Sequence, residues 1–251
     1  MTMNSTILDE LHSVEGTGVE ILLAVESGSR AWGFASKDSD YDVRFVYMRP
    51  VREYLRLDKG RDVIDWRLDD DLDIVGWDVF KFLGLLVKSN PTAFEWMGSK
   101  IIYKEDKRFQ SVRNAAPRCF DPKKSAYHYL GMAKKHDFRY IEAENATLKR
   151  YLYTVRALLA SRWSLVTLTP APMPFDTLKE AFLDKEMTPL VDDVLERKKN
   201  GSESGRCERI EALDAWIVSQ IADLERKLAD FQYKGGDERE NINHVFQNLV
   251  L

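Results

Sequence analysis

Residues 26–44 read ESGSRAWGFASKDSDYDVR, and no other stretch limits the fold as much. It is preceded by VEILLAV (19–25), too short and too uniformly apolar for a surface helix, which reads as a buried strand. It runs into YDVRFVYM (41–48), whose alternation and β-branched and aromatic residues read as a second strand. Asp40 lies eleven positions after Ser29, room for a short helix and a turn between two strands. A Gly-Ser pair leaving one strand and two acids entering the next therefore meet at one end of a sheet.

LDIVGW (72–77) supplies a third strand, and VFKFLGLLVK (79–88) repeats apolar residues at helical spacing. Asn90-Pro91 is a helix start, with Asn as cap and Pro at the first helical position, and Gly98 is a stop. STILDELHS (5–13) predicts a short amphipathic helix ahead of the first strand. After about Pro122 the strand patterns cease. Residues 123–142, 146–163, 175–199 and 207–231 carry helical periodicity, interrupted by TPAPMP (169–174) and NGSESG (200–205). The expected class is α+β: an α/β domain with a small mixed sheet over residues 1–118, then an α-helical bundle over 119–251. The tail from Gly235 turns apolar at Val245, Phe246, Leu249, Val250 and Leu251, which predicts that it docks.

The composition, 44% hydrophobic and 31% charged over 251 residues, is that of a globular protein. A net charge of −4 offers no global argument for a nucleic-acid coat or membrane adhesion. The charge is segregated. Asp62 to Asp78 holds seven acids against Arg67, and Lys123 to Trp163 holds nine Lys or Arg against Asp137, Glu142 and Glu144. That suits cations on one wall of a site and a polyanion on the other; from charge alone, two solvated faces are the favoured account. Cys119 and Cys207 cannot build a disulfide framework or a cysteine zinc site. The first residues carry no leader pattern and no run approaches a membrane span, so the expected location is the cytoplasm.

In a strand, residues two apart share a face, so Asp40 and Asp42 are expected side by side at the mouth of the second strand. Two carboxylates held together repel unless a cation lies between them, and magnesium, which takes one or two carboxylates plus phosphate oxygens, fits that place. Gly28 lets the backbone approach a ligand, Ser29 and nearby amides can bind phosphate, and Arg30 can add charge. Metal-assisted phosphoryl transfer calls for a third acid on the neighbouring strand. Asp73, set among apolar residues, is the favoured one; Asp78 competes, though it also suits the cap of the next helix. Lys149, Tyr153 and Arg156 stand at i, i+4 and i+7, one helix face able to meet triphosphate or RNA, or simply to pack and be solvated. Lys134, Lys135 and His136 read as a solvated face, and Arg44 lies where it could brace the acids.

GSRAWG followed by SDYDV resembles the signature of the DNA polymerase beta-like nucleotidyltransferase superfamily. ESGSRAWGFASKDSDYDVRFVY, KFLGLLVKSNPTAFEW, KRYLYTVRALLASRW and PAPMPF further resemble the nucleotidyltransferases allied to RNA-repair operons, over about residues 20–175. The resemblance implies transfer of a nucleoside monophosphate from a nucleoside triphosphate, ATP among the candidates, to a hydroxyl of an RNA 3′ end, a protein or a small molecule. Pyrophosphate is released. Gly28 and Ser29 would hold the triphosphate, Asp40 and Asp42 two Mg²⁺ ions, and Asp73 would complete the metal site and help deprotonate the acceptor. The alternatives are a nucleotide-binding regulator without turnover and a toxin-type transferase controlled by a partner.

Overall fold

The computed structural model describes residues 2–58, 60–135, 146–201 and 206–251. The chain forms two compact units, one of Met1–Ala31, Asp40–Phe120 and Gly235–Leu251, the other of Trp32–Ser39 and Asp121–Lys234.

In the first unit, α1 (Met3–Glu15), capped by Thr2, leads into β1 (Glu20–Glu26) and the single turn α2 (Gly28–Trp32), whose last residue is assigned to the second unit. Then come β2 (Tyr41–Met48), α3 (Val51–Tyr54), β3 (Val63–Leu68), β4 (Leu72–Asp78), α4 (Val79–Val87), α5 (Pro91–Gly98), β5 (Ile102–Glu105) and α6 (Gln110–Ala115). The five strands form one mixed sheet in the order β3-β4-β2-β1-β5. The β2–β4 pair is parallel and the other pairs antiparallel.

β3 and β5 were not among the expected strands, and both lie at sheet edges. An edge strand needs no continuous apolar pattern and is commonly short and charged. VIDWRL carries Asp65 and Arg67, and IYKE is four residues long. The acidic block gains a structural explanation here, because Asp69, Asp70 and Asp71 form the β3–β4 turn. Asp69 caps it by accepting hydrogen bonds from the backbone N–H groups of Asp71 and Leu72.

One sheet face packs Ala24, Val43, Phe45, Tyr47, Leu72 and Ile74 against Ile7, Leu11 and Val14 of α1. The Phe45 ring lies so close to Gly76 that a β-carbon there would fall 2.1 Å from it, which accounts for a glycine inside β4. On the other face Leu22, Val25, Val46 and Met48 meet Phe82, Leu83 and Leu86 of α4, with Phe94 and Trp96 of α5. The helix starts read at Asp78 and at Asn90-Pro91 are where α4 and α5 begin.

The second unit holds α7 (Pro122–Lys135), α8 (Leu148–Thr167), α9 (Phe175–Phe182), α10 (Thr188–Asn200) and α11 (Glu211–Asp230). The expected single helix over 175–199 is two helices, because the chain leaves helical geometry at Leu183 and Pro189 opens α10, a position it tolerates where a helix interior would not. The part of the 123–142 reading beyond Lys135, with His136, lies outside the described residues. The short segment Trp32–Ser39 packs in this unit: Phe34 meets Phe175 edge to face, and the Lys198 ammonium donates to the hydroxyls of Ser36 and Ser39.

The tail does dock. α12 (Arg239–Val250) returns to the first unit, burying Ile242 and Leu249 in the α4-side core and setting Phe246 edge-on to Tyr54 and Phe80.

Candidate active site

The end of β1 and the start of β2 are tied together before any ligand chemistry is considered. Ser27 N–H donates to the Asp42 carbonyl at 2.8 Å, and Asp42 N–H donates to Glu26 Oε1 at 3.0 Å. Glu26 is fully buried, and the other oxygen of its carboxylate accepts from the Tyr103 hydroxyl. Burial pushes the Glu26 carboxyl above the ordinary carboxylate range, against the hydrogen bonds from Tyr103 and Asp42 that favour ionisation. Neither Glu26 nor Tyr103 was singled out in the sequence; the available signal was an acid closing an otherwise apolar strand.

Gly28 follows with φ +57, in the left-handed region, and a β-carbon built on it would lie 1.9 Å from Asp42 Oδ2. The backbone at the Gly-Ser pair thus presses directly against the first metal-ligand candidate. Ser29 beside it is buried, at 3% exposure. Arg30 lies with its guanidinium carbon 3.6 Å from the centre of the Tyr41 ring, and its Nε donates to the Asp40 carbonyl at 3.1 Å.

Strand alternation separates Tyr41 from the acids. Tyr41 packs with the α1-side core, as Val43 and Phe45 do, while Val46 belongs to the α4-side core, so Asp42 and Arg44 share its face. On β4 the same logic turns Leu72 and Ile74 toward α1 and Asp73 toward the face of Trp77. Parallel pairing then sets Asp42 opposite Asp73. Asp78 stands five positions further on, opposite Tyr47. Its carboxylate caps α4 through Phe80 N–H at 2.8 Å and accepts from the Tyr54 hydroxyl at 3.2 Å, and burial raises its pKa. The geometry groups Asp73, and not Asp78, with Asp42.

Between the two acids lies Arg44. Its Nη2 reaches Asp42 Oδ1 at 2.8 Å and Asp73 Oδ2 at 2.6 Å, and its Nη1 donates to the carbonyls of Val43 and Asp73 at 3.1 and 3.0 Å. All three side chains are about four-fifths buried, with exposures of 18%, 20% and 19% for Arg44, Asp42 and Asp73. Two carboxylates sharing one positive group is a donor set that fits a divalent cation. Among the described residues no group of three or more His, Cys, Asp or Glu is placed to hold a metal ion, so Asp40, Asp42 and Asp73 do not form a three-acid set.

Lys149, Tyr153 and Arg156 lie on α8 of the helical unit, and the last two meet Trp32. Tyr153 meets the Trp32 ring edge to face at 4.8 Å, the Arg156 guanidinium stacks over it at 4.1 Å, and the Lys149 ammonium is 5.7 Å from the Tyr153 ring centre. Arg156 is 2% exposed, whereas Lys149 and Tyr153 are half-buried.

A family model described as the RNA repair pathway DNA polymerase beta family matches residues 3–248. The chain belongs to this family. A curated relative, the uncharacterized protein YcgL of Bacillus subtilis (strain 168), is 37% identical over 251 residues, spanning 99% of this chain and 96% of the relative. Membership covers both units, so the Gly-Ser turn, the β2 acids and the α8 residues all belong to the family's span. No helix among the described residues is long and apolar enough to cross a membrane.

Proposed function

We propose that the protein is a magnesium-dependent nucleotidyltransferase that moves a nucleoside monophosphate from a nucleoside triphosphate to the 3′ hydroxyl of an RNA end, with release of pyrophosphate. The observation that carries this reading is the pairing of Asp42 with Asp73 across parallel strands, with the Gly28 backbone against Asp42, in a chain of a polymerase beta-like RNA-repair family. The family's setting in RNA repair supports RNA as the acceptor in this reading.

In this reading Asp42 and Asp73 hold the metal, with Asp40 at the edge of the same strand mouth as the second candidate. Magnesium, when bound, neutralises triphosphate charge and favours the departure of pyrophosphate. Gly28 and Ser29 would offer backbone amides to the triphosphate, in a turn that the lack of a side chain at Gly28 lets pack directly on Asp42. Asp73 Oδ1, the oxygen outside its contact with Arg44, takes the proton of the attacking hydroxyl. Arg30, stacked on Tyr41, holds the Asp40 backbone in place. On the helical unit, Lys149 and Tyr153 are the residues able to meet a phosphate and a base, while Arg156 braces Trp32.

The test is incubation with each labelled triphosphate, Mg²⁺ and total RNA, followed by separation of RNA, protein and small molecules. Label on RNA from the wild type, with none from Asp42→Asn, is the expected result. Equal labelling by both proteins overturns the catalytic assignment, and label confined to protein or small molecules overturns the RNA acceptor.

A further inference from the structure

We propose that Arg44 is a resident counter-cation of the acid pair that excludes bare divalent metal and makes metal loading conditional on the triphosphate. The inference rests on the reading of Asp42 and Asp73 as metal ligands and adds an order of binding to it. One nitrogen of Arg44 contacts both carboxylates, and the other is anchored on the carbonyls of Val43 and Asp73. The guanidinium is therefore held by backbone as well as by the acids. It stays in the site when a carboxylate turns toward another cation.

The charges set the consequence. The Asp42, Asp73 and Arg44 side chains together carry one net negative charge, and about four-fifths of each is withdrawn from water, where charge interactions are stronger than in bulk solvent. A dication entering beside a fixed guanidinium meets its repulsion and competes for oxygens already engaged. A triphosphate brings several negative charges and its own oxygen ligands, which offset that repulsion. Asp42 is held on both sides, with Oδ1 on Arg44 and Oδ2 packed against the Gly28 backbone, so a bare cation must displace one of these contacts to reach it. The chain thus holds its acids in register without metal and takes the ion together with the nucleotide.

The experiment measures Mn²⁺ binding by the loss of the free-ion electron paramagnetic resonance signal, with and without a non-hydrolysable triphosphate, after subtracting the loss that the triphosphate causes without protein. Arg44→Met and Arg44→Gln are compared with the wild type, the second variant keeping a donor for the carbonyls. Wild type is expected to bind Mn²⁺ weakly without nucleotide. The neutral variants bind it at least about tenfold more tightly. Arg44→Lys, which keeps the charge, stays near the wild type, and adding Asp42→Asn to Arg44→Gln removes the gain.

A folded neutral variant that binds Mn²⁺ no better than the wild type overturns the proposal. So does a gain that survives Asp42→Asn. If neither neutral variant folds, the wild type still decides: equal Mn²⁺ affinity with and without the triphosphate overturns it. A wild type that labels RNA while Arg44→Gln gains no Mn²⁺ affinity sinks this inference and leaves the transferase standing. The Mn²⁺ gain without transfer of label does the reverse.

Discussion

Gly28 and Asp42 occupy adjoining space so tightly that no side chain fits at residue 28: the position of its β-carbon lies 1.9 Å from Asp42 Oδ2 and 3.2 Å from Asp42 Cβ. Gly28→Ala therefore forces Asp42 off Arg44 and strains a backbone at φ +57. A loss of about 1–3 kcal/mol in urea unfolding is expected. Asp42→Ala in the same chain removes the clash and recovers part of that loss, whereas two independent sites would simply add.

Asp73 and Asp78 are separable by experiment. Asp73→Asn is expected to lower nucleotide transfer at least about 100-fold with little change in stability. Asp78→Ala removes the cap of α4 and the partner of the half-buried Tyr54 and Arg49, costing about 1–3 kcal/mol while transfer by the folded protein stays within a few-fold. The opposite pattern would move the third acid to Asp78.

Glu26 gives stability a pH dependence of known sign. Its folded pKa lies above the ordinary value of 4.5, so the unfolded chain ionises first as pH rises. The residue contributes no pH-dependent term well below 4.5, and a destabilisation grows from there up to the folded pKa and is constant beyond. Glu26→Gln removes it while keeping an acceptor for Asp42 N–H. The wild-type minus Glu26→Gln difference in unfolding free energy, measured from pH 4 to 8, is expected to fall with pH. A flat or rising difference contradicts the assignment.

In the helical unit Trp32 carries Tyr153 and Arg156 on its ring and is 8% exposed. Trp32→Ala is expected to cost about 3–5 kcal/mol and Trp32→Phe clearly less, read by thermal unfolding.

Much of this was legible in the chain because period and punctuation act locally. An apolar run of seven residues, a Gly-Ser pair and alternating YDVRFVYM locate β1 and β2, and Asn90-Pro91 locates α5, without knowledge of any partner. The edge strands were not legible: solvent on one side lets Asp65, Arg67 and Lys104 into VIDWRL and IYKE, so the apolar signal is lost while the hydrogen-bond ladder remains. Asp73 was favoured because a carboxylate among apolar neighbours needs a partner. The partner, Arg44, comes from β2, and a parallel register joining residues 31 positions apart, which sets Arg44 within reach of Asp73, has no signature in the linear text. Glu26 was missed for the same reason, its second partner being Tyr103 on β5.

The route of the chain has a practical consequence. Between the Gly-Ser turn and the acids, the eight residues Trp32–Ser39 belong to the helical unit, and the last seventeen residues return to the first. The polypeptide crosses from one unit to the other four times. No single cut releases either unit intact, and a graft exchanging the helical half alone would leave behind the stretch that delivers Asp40 and Asp42. Each unit is completed only by the whole chain.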